Sequence, residues 1–257
     1  MTHVTGTATK VLPGWERSSF TAAGITHDAY RRGAGPGVVV VHEVPGITPQ
    51  VERFANEVVE AGFTVVMPSL VGTPGKPVTM GYGLQSMLKM CVAREFAAWA
   101  MDRTAPVIAW LRALAGSLHA EVGGPGVGAI GMCFSGGFAL GMTVDDRMIA
   151  PVLSQPSLPI AVGRRKANLH LSPDDLAMVA DRAAAGCQVL GLRFAQDPLV
   201  GDRFHTLRAV LGDAFIAVEL PSSSRRDHSV LTEHRDDASV HRVIDFLVEK
   251  LQSTESK

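Results

Sequence analysis

The sequence predicts an α/β fold built on one doubly wound, mostly parallel sheet with helices on both faces. Predicted strands and helices alternate along the chain, which is the pattern of a parallel sheet with right-handed crossovers. Residues 38–41 are an unbroken valine run, typical of a strand that is covered on both faces. No repeat, low-complexity linker or shift in composition divides the chain. We therefore expect one domain over residues 1–257, with poorly ordered tails at residues 1–15 and 252–257.

The order of the predicted elements follows from the spacing of apolar residues and from the turn residues between them. Gly62 is expected to end the first helix, and Thr104, Ser172 and Asp202 are candidate N-caps of later helices. By residue number, the prediction is an edge strand at 24–30, strand 38–41, helix 49–61, strand 64–68, an irregular loop at 69–83, helices 84–101 and 106–119, strand 127–130, helix 138–142, strand 148–153, helix 173–186, strand 188–194, helix 202–211, strand 214–220 and helix 237–251.

Composition limits the classes of function. The 257 residues carry a formal net charge of −1, which gives no electrostatic case for nucleic acid or an acidic membrane surface. The three cysteines, Cys91, Cys133 and Cys187, are an odd and scattered set, which argues against a disulfide framework and favours a reducing compartment. Residues 1–15 lack the apolar core of a secretory signal, and no run approaches the ~18 apolar residues of a membrane span. We therefore expect a cytoplasmic protein.

A nucleophile elbow is predicted at residues 129–137, which read Ala-Ile-Gly-Met-Cys-Phe-Ser-Gly-Gly. Gly131 lies two residues before Cys133, and small residues follow it at the second and third positions. A turn this tight between strand and helix tolerates only small neighbours, and it lifts its central side chain clear of the sheet. The pattern places the Cys133 thiol at the tip of the turn. The alternative is a buried cysteine in an ordinary Gly-rich turn.

Candidates for the rest of a catalytic triad follow later strands, in the order nucleophile, acid, histidine. Asp197 comes directly after the strand at 188–194, and His228 lies in the loop after the last strand. Functional groups gather at the carboxyl ends of parallel strands, and this chain order is that of α/β-hydrolases. A thiol needs a base to become the attacking thiolate, which His228 can supply, and Asp197 can fix the imidazole tautomer.

Four other residues compete for these roles. Asp202 is better placed as a helix N-cap, His234 lies at the approach to the last helix, and His241 lies inside that helix. Ser135 also fits a small-x-nucleophile-x-small pattern, which would make the protein a serine hydrolase. The strand would then have to run on through residues 131–134, so we expect Ser135 to be the small residue that permits the turn.

Taken together, these motifs make the chain resemble the dienelactone hydrolase family of α/β-hydrolases, over most of its length from about residue 38 to 251. The matching residues follow four different strands. They are His-Glu-Val-Pro-Gly at 42–46, Gly-Met-Cys-Phe-Ser-Gly-Gly at 131–137, Asp197, and the pair His228-Ser229 before the last helix.

The resemblance implies an α/β-hydrolase fold and a Cys133–His228–Asp197 triad that hydrolyses ester or lactone bonds of a small molecule. It also implies that the protein uses neither a metal nor an organic cofactor. The glutamate that matches Glu43 would hold the resting thiol and release it when substrate arrives, whereas a buried ion pair with an arginine is the alternative role for Glu43. We expect a monomer or a small homo-oligomer without a nucleic-acid or membrane partner.

The resemblance further implies an oxyanion hole made by the backbone N–H groups of Phe134 and Val44.

Two positions depart from the family pattern. Ser135 stands where the family usually has glycine, and Thr232 stands where members that act on dienelactone carry an arginine for the substrate carboxylate. Arg94 could match a second carboxylate-binding arginine of the family, or it could simply lie on a solvated helix face.

Two functions from other classes remain open. A redox or thiol-sensing protein could use Cys133 on a hydrolase-like frame, although an elbow with a following histidine is superfluous for that task. A non-catalytic relative could bind a small ligand. The intact set of nucleophile, acid and base favours the hydrolase over both.

Overall fold

The computed structural model describes residues 12–96, 102–158 and 163–252, which form an eight-stranded sheet covered by helices on both faces. The strands are β1 (Glu16–Ala22), β2 (Ile25–Arg32), β3 (Gly37–Val41), β4 (Thr64–Pro68), β5 (Val127–Met132), β6 (Met148–Ser154), β7 (Val189–Phe194) and β8 (Phe215–Leu220). The helices are α1 (Pro49–Glu60), α2 (Met80–Val92), α3 (Pro106–Val122), α4 (Gly136–Met142), α5 (Pro173–Ala184), α6 (Arg203–Leu211) and α7 (Asp237–Leu251).

The strands are ordered β1-β2-β4-β3-β5-β6-β7-β8 across the sheet. Strand β2 is antiparallel to both of its neighbours, and the remaining pairs are parallel. The predicted mostly parallel α/β sheet is therefore confirmed. The strand predicted at 24–30 is not at the edge, because β1 pairs outside it. Strand β1 is mostly exposed and has no apolar run, so the sequence pattern gave no signal for it.

Alternate residues of β3 face opposite sides of the sheet, and all five of its residues are buried. Val38 and Val40 pack with residues of α1 and α7, whereas Val39 and Val41 pack with residues of α3 to α6. This two-sided burial is what the valine run predicted. Within the described ranges, no helix is long and apolar enough to cross a membrane.

The predicted N-cap of α3 is wrong. The cap position is Ala105, and its side chain makes no capping hydrogen bond. Thr104 instead accepts a hydrogen bond from the Ser172 backbone N–H (3.0 Å) and donates one to Asp175. Because Ser172 caps α5 as predicted, Thr104 fastens the start of α5 to the segment before α3.

The bounds of α2 also differ from the prediction. Helix α2 begins at Met80, inside the segment predicted as a loop, because Thr79 caps it by accepting a hydrogen bond from the backbone N–H of Tyr82. It ends at Val92, and part of the predicted helix 84–101 lies outside the described residues. Asp202 does occupy the N-cap position of α6, but its side chain makes no capping hydrogen bond.

Parts of the predicted tails are held by the fold. Leu12 and Trp15 are buried on the face of the sheet that α1 and α7 cover. The side chain of Gln252 donates hydrogen bonds to the carbonyls of Ala61 and Gly62. Residues 1–11 and 253–257 lie outside the described residues.

The carboxyl ends of the parallel strands share one edge of the sheet, and the chemically interesting side chains follow those ends. Glu43 comes after β3, Cys133 after β5, Ser157 after β6, Asp197 after β7 and His228 after β8. Sheet topology therefore gathers residues that are far apart in sequence.

Candidate active site

Cys133 lies at the tip of a strained turn between β5 and α4. Its φ of +56° lies in the left-handed region, which non-glycine residues seldom adopt. The chain passes through one 3-10 turn, Cys133–Ser135, before α4 starts. Gly131 is required on the strand side, because a Cβ there would lie 2.1 Å from the carbonyl oxygen of Ser135. These are the features of a nucleophile elbow.

The side chain of Ser135 is fully buried beneath this turn. Its Oγ accepts a hydrogen bond from the backbone N–H of Met132 (2.8 Å) and lies 2.9 Å from two carbonyl oxygens, those of Val41 and Met132. The hydroxyl thus ties the elbow to the end of β3. Its three close backbone partners and its complete burial keep the Ser135 Oγ away from the surface that a substrate would approach.

His228 and Asp197 form a close pair. The Nδ1 atom of His228 lies 2.6 Å from Oδ2 of Asp197, and the two side chains are 15% and 1% exposed. The other oxygen of Asp197 accepts a hydrogen bond from the backbone N–H of Leu199 (2.9 Å), which fixes the carboxylate. Since Nδ1 carries the proton shared with Asp197, Nε2 is left as the atom that can exchange a proton.

The rival residues are not brought into this arrangement. The backbone N–H of Asp202 donates a hydrogen bond to the carbonyl of Lys166, and the carbonyl of Asp202 accepts one from the N–H of Thr206. His234 accepts a long hydrogen bond (3.4 Å) through Nδ1 from the backbone N–H of His228, so it sits behind the loop. His241 is an exposed residue of α7.

The environment of His228 favours its protonated form. Burial lowers the pKa of the ring, but the negative charge of Cys133 and the hydrogen bond to Asp197 oppose this effect and prevail. The pKa of His228 is therefore raised well above 6.5. The Nε2 atom is buried and makes no hydrogen bond of good geometry among the described residues, but a side-chain interaction with Cys133 is a further cause of the raised pKa, so the ring lies next to the thiol. The ring is thus charged by its surroundings and has one nitrogen available for proton transfer.

Ser157 also contacts the thiol directly, and the sequence analysis did not identify it. Its Oγ lies 3.0 Å from Sγ of Cys133, and its backbone N–H donates to the Cys133 carbonyl at the same distance. Ser157 is 4% exposed. Its position in the sequence could have identified it. Ser157 comes just after β6, which pairs with β5, so a polar side chain there lies near the elbow.

Glu43 is buried at the end of β3 and does not hold the thiol in this structure. Its carboxylate accepts hydrogen bonds from Ser229 (2.7 Å), from Gln155 (3.1 Å) and from Thr232. The alternative of an ion pair is also not observed, because none of these donors is charged and no described arginine lies within 4 Å. Thr232 therefore helps to satisfy Glu43.

His42 is a fully buried neutral residue that shapes the loop around Glu43. Burial lowers the pKa of His42 to about 4. The Nδ1 atom donates to the carbonyl of Glu43 (2.8 Å), and Nε2 accepts from the backbone N–H groups of Leu70 and Val71. The ring thereby joins the segment after β4 to the segment after β3.

Comparisons with known proteins connect this geometry to a family. The model of the dienelactone hydrolase family matches residues 25–245, which is more than half of the chain. The chain belongs to the dienelactone hydrolase family. Membership identifies the protein as a hydrolase that acts on ester or lactone bonds. Among curated protein sequences, none matches it significantly.

Solved structures share the fold at low sequence identity. A dienelactone hydrolase from Anabaena variabilis is 15% identical with a TM-score of 0.62, over 92% of this chain and 98% of that chain. A dienelactone-hydrolase-like promiscuous phosphotriesterase from metagenomic libraries is 19% identical with a TM-score of 0.62, over 92% and 98%. A cold-adapted esterase from an Arctic intertidal metagenomic library is 17% identical with a TM-score of 0.59, over 91% and 92%. At such identities the likeness supports the fold alone.

In this member of the dienelactone hydrolase family, Val44 and Phe134 follow the ends of neighbouring strands. Strands β3 and β5 are paired up to Val41 and Gly131, so the two segments leave the sheet side by side. The bond between Val44 and Pro45 is cis. The backbone N–H of Val44 has no acceptor among the described residues. Of the two N–H groups predicted for an oxyanion hole, that of Phe134 thus lies in the elbow next to Cys133, and that of Val44 lies in the loop after the neighbouring strand.

Arg94 is not brought to the thiol. It lies exposed in the 3-10 turn Arg94–Phe96, beside a shallow depression that Ile25 and Pro106 also line. None of its described neighbours there belongs to the triad. The prediction that Arg94 binds substrate therefore finds no support in the position of its side chain.

Among the described residues, no cluster of three or more metal-ligating side chains is present.

Proposed function

We propose that this hydrolase cleaves carboxylic ester or lactone bonds with Cys133 as nucleophile, His228 as general acid and base, and Asp197 as the residue that orients the imidazole. The observation that carries the proposal is the convergence of a thiol at a strained elbow with a buried His–Asp pair whose imidazole interacts with the Cys133 side chain. These are the three roles that acyl transfer through a covalent intermediate requires.

The first half of the reaction forms a thioester. The Cys133 thiolate attacks the carbonyl carbon, and the carbonyl oxygen becomes a tetrahedral oxyanion that the N–H groups of Phe134 and Val44 can stabilise. When the intermediate collapses, the bond from carbon to the alkoxy oxygen breaks. The protonated His228 gives its Nε2 proton to the leaving alkoxide, and the acyl group stays on the sulfur.

The second half releases the acid. Neutral His228 takes a proton from water, and the hydroxide formed attacks the thioester carbon. Collapse of this second intermediate breaks the carbon–sulfur bond and returns the thiolate and the protonated imidazole. With a lactone as substrate, the leaving alkoxide is part of the acyl chain, so the product is a single hydroxy acid.

The experiment is hydrolysis of activated short-chain esters and of simple lactones by the wild type and by single alanine variants. We expect Cys133→Ala and His228→Ala to lose activity by about 100-fold or more, the usual contribution of such groups. Ser135→Ala should remain active, since its hydroxyl only holds the turn. Cys187→Ala is the matched control, a half-buried thiol outside the site.

Two results would contradict the proposal. One is undiminished turnover by Cys133→Ala, and the other is a loss in folded Ser135→Ala as deep as that expected for the thiol. If the wild type hydrolyses none of these substrates while peroxide oxidises Cys133 readily, a thiol-sensing role would replace the hydrolytic mechanism. Mass spectrometry of the protein during turnover adds an independent measurement, because the acyl adduct should map to Cys133.

A further inference from the structure

Arg203 is a buried charge without an acidic partner. Arg203 is 2% exposed, and no described carboxylate lies within 4 Å of its guanidinium. Its hydrogen bonds go to backbone carbonyls: Nε donates to Asn168 (2.9 Å), Nη1 to Leu199 (3.0 Å) and Val200 (2.8 Å), and Nη2 to Arg165 (2.7 Å). One of the five N–H donors has no acceptor among the described residues. Neutral carbonyls satisfy most donors but leave the positive charge uncompensated.

A small cavity separates this charge from the residue that contacts the thiol. Its volume is about 10 Å³, room for about one water molecule, and Arg203, Ser157 and Phe134 all line it. Ser157 is the residue whose Oγ lies 3.0 Å from the Cys133 sulfur. The protein interior between Arg203 and the sulfur has a lower dielectric constant than water, so the charge of Arg203 acts on the sulfur at longer range than it would in water.

We propose that Arg203 supports the nucleophile, by holding a positive field at the Cys133 sulfur that stabilises the thiolate and the negative charge that develops during acyl transfer. It is a positioning residue and does not touch the reacting atoms. The inference rests on the proposed function only in taking Cys133 as the nucleophile. The positive field itself is a property that can be measured without turnover.

The other charges around Arg203 are consistent with this role. Burial lowers the pKa of Arg203 to about 10, and the negative charges of Cys133, Asp202 and Asp197 oppose that fall, so it is protonated at pH 7. Burial and the positive charges of Arg203 and Arg165 lower the pKa of His170 to about 4. His170, which also lines the cavity, is therefore neutral at pH 7. Asp197 is already paired with His228, so it does not cancel Arg203 directly.

The test compares alkylation of Cys133 by iodoacetate, an anion, and by iodoacetamide, which is neutral and similar in size. A positive field at the sulfur accelerates the reaction with the anion. It therefore raises the ratio of the iodoacetate rate to the iodoacetamide rate above the ratio measured for a neutral small-molecule thiol such as N-acetylcysteine amide. The measurement is made in the double variant Asp197→Asn/His228→Ala, because the imidazolium would also attract the anion and an Asp197 carboxylate without its partner would repel it. We expect a ratio about three to thirty times that of the small thiol, which is the effect that a single positive charge exerts on an approaching anion at intermediate dielectric constant.

Variants then identify the source of the field. Arg203→Lys and Arg203→Gln, each combined with Asp197→Asn/His228→Ala, both disrupt the carbonyl contacts, but only the lysine keeps the charge. We expect the glutamine variant to fall to the ratio of the small thiol and the lysine variant to keep an elevated ratio. Arg208→Gln is the control, since Arg208 is on the same helix but pairs with Glu219 at the surface.

The outcomes separate the electrostatic role from a structural one. Equal ratios in the lysine and glutamine variants would overturn the proposal, because both lose the same contacts. A ratio in Asp197→Asn/His228→Ala no higher than that of the small thiol would overturn it as well, without any change at Arg203, so the test stands even if the Arg203 variants do not fold. Peptide mapping of the adduct confirms that Cys133 is the residue modified. Since alkylation needs no hydrolysis, this result is independent of whether any ester is turned over.

Discussion

Lowering the pH from 7 to 5 perturbs the folded state through His42, whose ring is fully buried and neutral. Burial lowers its pKa from 6.5 to about 4 in the folded protein. As the pH falls below 6.5, the unfolded chain takes up a proton at this residue and the folded chain does not. Stability from His42 is therefore fully present above pH 6.5 and is lost as the pH falls towards 4. Linkage gives a loss of about 1.8 kcal/mol between pH 7 and pH 5.

The assay is urea unfolding at both pH values, followed by circular dichroism, for the wild type and for His42→Gln. Glutamine offers a donor and an acceptor but does not titrate, so the variant should lose about 1.8 kcal/mol less than the wild type over this interval. Comparing the two pH values within each protein removes the cost of the substitution itself. His241→Gln, a change at an exposed histidine of α7, serves as the control. An identical pH dependence in His42→Gln and the wild type would refute the reasoning.

Three further predictions concern the elbow and the polar residues behind it. Ser135→Ala should lower the free energy of unfolding by about 1–3 kcal/mol, because the buried N–H of Met132 loses its acceptor, as urea titration can measure. Gly131→Ala should abolish hydrolysis and lower the melting temperature, since the new Cβ would lie 2.1 Å from a backbone oxygen of the elbow; normal activity would contradict this. Thr232→Val should cost about 1 kcal/mol in the same titration, because Glu43 keeps its two other donors, and no loss at all would contradict the contact.

Much of the fold could be predicted from the sequence because its central strands are buried on both faces. The valine run of β3 and the similar run of β4 show this directly, and the order of helices between strands then implies a parallel sheet. Strand β1 could not be predicted in the same way. It pairs through its backbone with β2 at the edge, so its side chains are largely exposed and carry no apolar pattern.

Some residues of the candidate site could likewise be predicted from the sequence, and others could not. Cys133, Asp197 and His228 each follow a strand in a short segment, so chain order and strand ends were enough to select them. Ser157 and Arg203 could not be found by that route. Ser157 meets the thiol through the path of the loop after β6, and Arg203 begins a helix whose position depends on packing against distant carbonyls. Their roles depend on burial and distance, which one-dimensional spacing does not encode.

The position of Glu43 leads to a different account of the resting enzyme from the one that the family resemblance implies. To reach the Cys133 sulfur, its carboxylate would have to give up hydrogen bonds to Ser229, Gln155 and Thr232, all inside the protein. Donors and acceptor left without partners there would each cost about 1–3 kcal/mol. These donors come from the loops after β8 and β6, and Glu43 itself follows β3, so the carboxylate joins three of the loops that surround the elbow. We therefore infer that Glu43 fixes the relative positions of these loops, while the hydroxyl of Ser157, and not the Glu43 carboxylate, contacts the sulfur at rest.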